Sequence, residues 1–177
     1  MNKAVFLDRD GVINKEIQFV AKPEDFHMLP NAIEALRLLM RTEYKIIIIT
    51  NQSGMGYGYY SETDYAKVTQ KMLGIFEDNG VAVDAIYYCP HRYEENCDCR
   101  KPNTGMLEKA KREFDIDYKK SWFVGDKTSD IKTGQNIGAR TILVKKGAGG
   151  RDGRYNLKPD YVAEDLHESA RIITTNE

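Results

Sequence analysis

Short apolar runs alternate with amphipathic stretches along the whole chain. Ala4–Leu7 is a four-residue apolar run that stops at Asp8-Arg9-Asp10-Gly11. Such a run, ended by a polar turn, predicts a buried strand followed by a functional loop. Asn31–Thr42 places Ile33, Leu36, Leu39 and Met40 on one helical face. Lys45–Thr50 is almost entirely β-branched, the mark of a strand buried on both faces in a parallel sheet. It ends in a second polar turn, Asn51-Gln52-Ser53-Gly54. Ser61 with Asp64 has the spacing of a reciprocal helix cap, and Gly80 closes a helix that runs to near Asn79.

The same rhythm continues to the end. Val83–Tyr88 predicts a third strand, Ser121–Val124 a fourth, Thr141–Val144 a fifth and Asp160–Ala163 a short sixth. Asn103 or Thr104 caps a helix reaching Phe114, Thr128 caps another reaching Ile137, and Leu166–Ile173 forms the last. The glycine-rich stretch Gly147–Lys158 reads as a solvated surface loop. Strands alternating with helices specify a mostly parallel sheet between two helical layers, a Rossmann-like α/β/α domain over residues 1–177. In such sheets ligands bind beyond the carboxyl ends of the strands. Asp8, Asp10, Thr50, Asn51, Lys101 and Asp126 all follow predicted strand ends, so they converge on one site.

Charge narrows the partners. Lysine and arginine number 26 against 27 aspartates and glutamates, interspersed along the chain. This balance lacks the basic block of a nucleic-acid binder. No apolar run is long enough to cross a bilayer, and the N-terminus lacks a secretory leader. A cytoplasmic, monomeric protein with no membrane or nucleic-acid partner is the expectation. All three cysteines, Cys89, Cys97 and Cys99, cluster with His91. An odd count beside a histidine disfavours a disulfide framework and suits one tetrahedral structural zinc ion.

The converging residues define a chemistry. Asp8 and Asp126 offer hard oxygen ligands for a divalent cation, most naturally magnesium. A carboxylate also serves as a nucleophile, forming an acyl-phosphate. Asp10, two residues on, is placed for proton transfer. Thr50 and Lys101 suit the oxygens of a phosphoryl group in transfer. Asp130 is positioned to brace Lys127 or a metal-bound water. Metal-assisted phosphoryl transfer accounts for this set better than other reaction classes; a non-catalytic zinc-stabilised binding module is the remote alternative.

Four ordered segments, Asp8-Arg9-Asp10-Gly11, Thr50-Asn51-Gln52-Ser53-Gly54, Arg100-Lys101-Pro102 and Gly125-Asp126-Lys127-Thr128-Ser129-Asp130, resemble the motifs of the haloacid dehalogenase-like (HAD-like) phosphatases. The Cys-x-His and Cys-x-Cys-Arg-Lys-Pro segments are similar to the branch that holds the D,D-heptose 1,7-bisphosphate phosphatases and the histidinol-phosphate phosphatases. The resemblance implies Asp8 as nucleophile and Asp10 as general acid and base. It implies magnesium held by Asp8, Asp126 and the Asp10 carbonyl, with Lys127 and Asp130 behind them, and phosphoryl stabilisation by Thr50 and Lys101. It implies a substrate pocket walled by Glu16, Phe19, Asn51, Gln52, Ser53 and Arg100. No cap domain is inserted in this branch, and the zinc loop partly replaces one. Ser53 and the Asp160–Leu166 ending resemble the heptose enzymes, which implies release of the 7-phosphate of a heptose 1,7-bisphosphate. Histidinol phosphate or another small sugar phosphate is the alternative substrate. Tyr57 and Phe19 depart from the heptose pattern, where arginine and tyrosine are usual. Arg151 or Arg154 is a candidate to replace the missing guanidinium. Packing and substrate contact both remain open for Tyr57, Tyr59 and Tyr60.

Overall fold

Six parallel strands form one sheet in a computed structural model, which describes residues 1–176. The strands are β1 (Ala4–Leu7), β2 (Lys45–Asn51), β3 (Ala85–Cys89), β4 (Trp122–Gly125), β5 (Arg140–Val144) and β6 (Tyr161–Ala163). Their order is β3-β2-β1-β4-β5-β6. β1 lies inside the sheet, with Phe6 opposite Ile47 of β2 and Phe123 of β4. The direction of chain growth reverses at β1. The loops leaving β1 and β4 therefore open a crevice between them.

Side-chain alternation divides the core into two layers. Val5, Leu7, Ile46, Ile48 and Val124 face one side. There they meet Leu36 and Leu39 of α1 (Ala32–Leu39), Met72 and Phe76 of α2 (Glu62–Asp78), and Ala170 and Ile173 of α5 (Leu166–Thr175). Phe6, Ile47, Ile49 and Phe123 face the other side. Met106, Leu107 and Ala110 of α3 (Gly105–Phe114) and Ile137 of α4 (Thr128–Ile137) cover them. The unbroken β-branched run of β2 is thus explained by burial of consecutive residues on opposite faces. Each fully buried isoleucine contributes about 1.5–3 kcal/mol to the fold.

Element boundaries shift where side chains compete with the ladder. β3 starts at Ala85 because the Asp84 carboxylate turns back to accept from the Ile46 N–H (2.8 Å) and to pair with Lys45. The strand instead continues to Cys89, opposite Asn51. Ser61 and Asp64 cap α2 reciprocally, as the spacing predicts. Thr128 does not cap α4. Lys127 occupies that position, and Asp130 accepts from its N–H. Thr104 precedes α3 without a side-chain cap bond, and Asn103 lies one residue farther out. Between β1 and α1 the chain makes only a three-residue helical turn, Pro23–Asp25, so no lid domain is inserted there. Among the described residues no helix is long and apolar enough to cross a membrane.

Candidate active site

The last residues of β1, β2 and β4 hand their polar followers to one buried point. Asp8, Lys101, Asp126 and Asp130 are each at most 5% exposed. Lys101 Nζ lies 2.8 Å from an Asp8 oxygen and 2.8 Å from an Asp130 oxygen. It also donates to the Ile49 carbonyl at 2.9 Å. Asn51 fixes the Lys101 backbone, accepting from its N–H at 3.0 Å and donating to its carbonyl. Lys127 pairs with Glu16 at 2.8 Å. Asp130 therefore does more than brace Lys127: it caps α4 and neutralises part of Lys101.

Burial dominates the electrostatics here. It pushes the Asp8 carboxyl up to about 6, against the pull of Lys101. It pushes Asp126 up to about 8, and Asp8 and Asp130 add to the shift. For Lys101, burial works downward, but Asp130 and Asp8 outweigh it and hold the ammonium charged. For Lys127, burial also works downward, and Asp8, Glu16 and Asp126 outweigh it. The group is short of positive charge, a condition that raises carboxyl pKa values.

A cation fits that deficit. Carboxylate oxygens of Asp8, Asp126 and Asp130 lie within 4.8 Å of one another. Asp126 Oδ2 accepts from the Ala148 N–H at 2.6 Å, whereas buried Oδ1 has no hydrogen-bond partner among the described residues. Two glycines allow the loops to close on this carboxylate. A Cβ on Gly11 (φ +90°) would sit 2.2 Å from Asp126 Oδ2, and one on Gly147 (φ +77°) 2.4 Å from it. Any side chain would be strained there and would also fill the cradle. An all-oxygen donor set of this kind suits magnesium.

The second carboxylate, Asp10, is tied from three sides. Its oxygens accept from Arg9 Nη2 at 3.0 Å, Asn14 Nδ2 at 2.8 Å and Gln52 Nε2 at 2.9 Å. Gln52 Nε2 also donates to the Thr50 hydroxyl at 2.8 Å, and the Tyr60 hydroxyl donates to Gln52 Oε1 at 2.6 Å. Burial pushes the Tyr60 phenol up to about 12, so it remains a donor. Gln52 borders the pocket, but its amide joins Thr50 and Asp10 and is directed inward. Tyr60 is thus a packing and relay residue. Tyr57 donates instead to Glu94 on the zinc loop, and Tyr59 packs on Phe19 with ring centroids 4.9 Å apart. The sequence reading missed Arg9 and Asn14 and left Tyr60 open between packing and substrate contact. The only hint was an arginine between two aspartates, unusual in a segment about to be buried.

Glu16, Phe19, Asn51, Gln52, Ser53 and Arg100 all line one pocket with Asp8, Asp10, Lys101 and Lys127. The Gly147–Lys158 stretch is not a free surface loop. The Gly150 N–H donates to the Asp126 carbonyl at 2.7 Å, and the Asp152 carboxylate accepts from the N–H and hydroxyl of Thr128 at 2.7 Å. Positive φ at Gly147, Gly149, Gly150 and Gly153 lets the segment bend back over the end of β4. Asp152 and Arg154 consequently reach the pocket wall.

On the other rim, Cys89, His91, Cys97 and Cys99 bring their ligand atoms within 4.8 Å of one another. Cys97 Sγ lies 3.5 Å from both other sulfurs, and His91 Nδ1 lies 3.2 Å from Cys99 Sγ. Tetrahedral zinc with bonds of about 2.3 Å to sulfur has sulfur–sulfur edges of about 3.8 Å. The four residues fit that ion, and no fifth protein ligand is needed. Arg100 and Lys101 follow the last ligand directly.

Residues 98–169 match the family model described as HAD-hydrolase-like. The chain is 40% identical to the D-glycero-beta-D-manno-heptose-1,7-bisphosphate 7-phosphatase of Haemophilus influenzae, over 98% of this chain and 97% of that relative. The chain belongs to the HAD-like phosphatases. It is thereby a phosphoric monoester hydrolase, in the branch of the heptose bisphosphate enzymes. The D-glycero-alpha-D-manno-heptose-1,7-bisphosphate 7-phosphatase of Campylobacter jejuni is 46% identical over 80% of this HAD-like chain and 81% of its own. The crystal structure of D,D-heptose 1,7-bisphosphate phosphatase from B. bronchiseptica, complexed with magnesium and phosphate, superposes with a TM-score of 0.92. That structure is 32% identical and covers 99% of both chains.

Proposed function

We propose that the chain is a magnesium-dependent phosphatase that removes the 7-phosphate of D-glycero-D-manno-heptose 1,7-bisphosphate. The observation that carries this reading is the buried contact of Lys101 with Asp8 beside the unpartnered Asp126 oxygen. It supports reading Asp8 as nucleophile, Lys101 as phosphoryl clamp and Asp126 as cation ligand, with Asp8 and Lys101 lining one polar pocket. A chain so similar to the heptose enzymes over its whole length is expected to share their substrate.

In the first half-reaction an Asp8 oxygen attacks the 7-phosphorus, and the bond from phosphorus to the sugar oxygen breaks. Asp10 gives its proton to the departing alkoxide. In the second half Asp10 takes a proton from water. The water oxygen attacks the aspartyl-phosphate, and Asp8 leaves as carboxylate with free phosphate. Donors from Arg9, Asn14 and Gln52 hold the Asp10 carboxyl in place for this second role. Lys101 and the Thr50 hydroxyl bind the oxygens of the transferring group. Magnesium would be held by the Asp8 and Asp126 carboxylates and the Asp10 carbonyl, with Lys127 and Asp130 supporting them, and supplies neutralisation of phosphoryl charge. Glu16, Phe19, Asn51, Ser53 and Arg100 wall the sugar pocket, and Gln52 holds two of its members. Zinc at Cys89, His91, Cys97 and Cys99 is structural, because four protein ligands leave no open position. We further take residues 1–177 as one cytoplasmic, monomeric domain without nucleic-acid or membrane partners.

Initial rates with magnesium, on both anomers of the heptose bisphosphate and on histidinol phosphate, test the assignment. A higher kcat/KM for histidinol phosphate overturns it and favours the histidine-biosynthetic reading.

A further inference from the structure

Gly147, Gly149, Gly150 and Gly153 all have positive φ, so the segment after β5 is costly to order. From Gly147 to Tyr155 its hydrogen bonds to other segments go to Asp126 and Thr128. The Ala148 and Gly150 N–H groups donate to the side chain and the carbonyl of Asp126. The Asp152 carboxylate accepts from the N–H and the hydroxyl of Thr128, both at 2.7 Å. The Tyr155 N–H donates to that hydroxyl at 3.2 Å. The first pair of bonds grips the candidate cation ligand. The bonds to Thr128 hold the loop itself.

A carboxylate turns easily about its last torsion. For Asp126 one N–H decides its orientation: Ala148 takes Oδ2, and buried Oδ1 keeps no hydrogen-bond partner among the described residues. A Cβ on Gly147 would sit 2.4 Å from Asp126 Oδ2 and 2.8 Å from the Gly11 Cα, so the loop wedges the carboxylate against the loop leaving β1. That wedge depends on the glycine-rich loop staying closed. Thr128 opens α4, where N–H groups without helical partners favour an anion, and Asp152 supplies one. We propose that Asp152 is a positioning residue for the cation site. Its latch on Thr128 keeps Ala148 on one oxygen of Asp126 and leaves the other oxygen free for the metal. Asp152 acts through the loop and not as a ligand: the carboxylates gathered within 4.8 Å of one another are those of Asp8, Asp126 and Asp130.

The inference rests on the magnesium role proposed for Asp126, and one titration series separates the two. Magnesium alone is titrated into wild type, Asp126→Asn, Asp152→Ala and Asp152→Asn. Calorimetry and the rise in melting temperature report binding, and the metal-free melting temperature is the folding control. Loss of a partner that orients a metal ligand weakens metal affinity about 10–100-fold, so Asp152→Ala should bind magnesium about tenfold more weakly or worse. Asp152→Asn keeps an acceptor for the Thr128 N–H and should lose less. Because the ligands remain in Asp152→Ala, its kcat for phosphate release should climb back towards wild type as magnesium is raised. A merely loosened fold gives no such recovery. Wild-type magnesium affinity in folded Asp152→Ala overturns the latch, as does a kcat that stays low at saturating magnesium; the magnesium reading then stands if Asp126→Asn has lost binding. If Asp152→Ala does not fold, unchanged affinity in Asp152→Asn overturns the latch. Equal binding by wild type and Asp126→Asn overturns the magnesium reading and the inference with it.

Discussion

The two rims of this pocket are built by opposite means. The β1 loop is fixed by a dense set of direct hydrogen bonds, in which Arg9, Asn14, Gln52 and Tyr60 hold Asp10 and each other. The zinc loop, between Cys89 and Cys99, sets four candidate metal ligands among bonds to neighbouring segments: the Gly56 N–H donates to the Pro90 carbonyl at 2.9 Å and the Tyr57 hydroxyl to the Glu94 carboxylate. The Gly105 N–H donates to the Asp98 carbonyl at 2.9 Å, and Asn103 donates to the Cys97 carbonyl at 2.8 Å. The first rim is part of the core and gains its order from folding. The second is exposed over residues 92–96 and touches the core only through its cysteines, so a metal held there would add the cross-links that apolar contacts do not supply. Asp8 and Asp10 sit on the first rim, and the second brings Lys101 against Asp8.

That contrast is sharpest when each rim is broken separately. Asp8→Asn removes the nucleophile and leaves the shape. Turnover should fall at least about a hundredfold, with the melting temperature held or raised, because a buried carboxylate is replaced by a neutral isostere. Residual steady-state activity above a hundredth of wild type would count against Asp8. Cys97→Ser or chelation acts on the other rim. It should lower melting temperature and activity together, by several degrees and about tenfold, because metal affinity is folding energy. Calorimetry and phosphate release on the same sample check this, and full activity at an unchanged melting temperature would refute a structural zinc.

Smaller effects probe the wiring of the first rim. Tyr60→Phe leaves Gln52 Oε1 buried without its donor, at a cost of about 1–3 kcal/mol in stability. Because the Gln52 amide then has less reason to face Asp10 and Thr50, kcat should drop severalfold with little change in KM. Denaturant melts and a kcat–KM split test both parts, and a change confined to KM speaks for direct substrate contact instead. The smallest effect is in pH dependence. Asp8 and Asp126 are raised by burial above the ordinary carboxylate range, to about 6 and about 8. Folded metal-free protein therefore holds protons that the unfolded chain releases. Their stabilising contribution is complete below the unfolded pKa of about 4 and is lost as pH rises towards 8. Magnesium needs both groups ionised. The rise in melting temperature produced by saturating magnesium should thus grow between pH 5 and 8 and then level off, as thermal melts with and without the ion would record.

Much of the first rim was legible because charge ends a strand abruptly. Asp8, Thr50 and Asp126 each interrupt an apolar run, and topology alone brings such interruptions together. The Cys89, His91, Cys97 and Cys99 cluster, which could hold a metal ion, was legible by residue type and spacing. The direction of the polar side chains was not. Gln52 reads as a pocket residue until Tyr60 is seen to hold its amide inward. Asp130 reads as a brace until Lys101 arrives from another loop. The glycine-rich segment reads as solvent-exposed because its composition is polar. Its anchoring depends on backbone N–H groups of Ala148 and Gly150, which carry no residue signature. The β3 boundary was misplaced for a similar reason: the Asp84 N–H donates to the Ile46 carbonyl, but the Asp84 carboxylate takes the Ile46 N–H in place of a backbone carbonyl.

The position of β1 within the sheet has a consequence for how the protein comes into being. Asp8 and Asp126 directly follow neighbouring strands, but about two-thirds of the chain, residues 9–125, lies between them in sequence. Pairing β1 with β2 is comparatively local; pairing β1 with β4 closes a long loop and is intrinsically slow. The two carboxylates cannot meet until that register, Val5 against Trp122, is in place. During refolding the half made of β1 to β3 can gain its order first. Competence for catalysis arrives only with the long-range closure, so a nascent chain is an inert one until its fourth strand has docked.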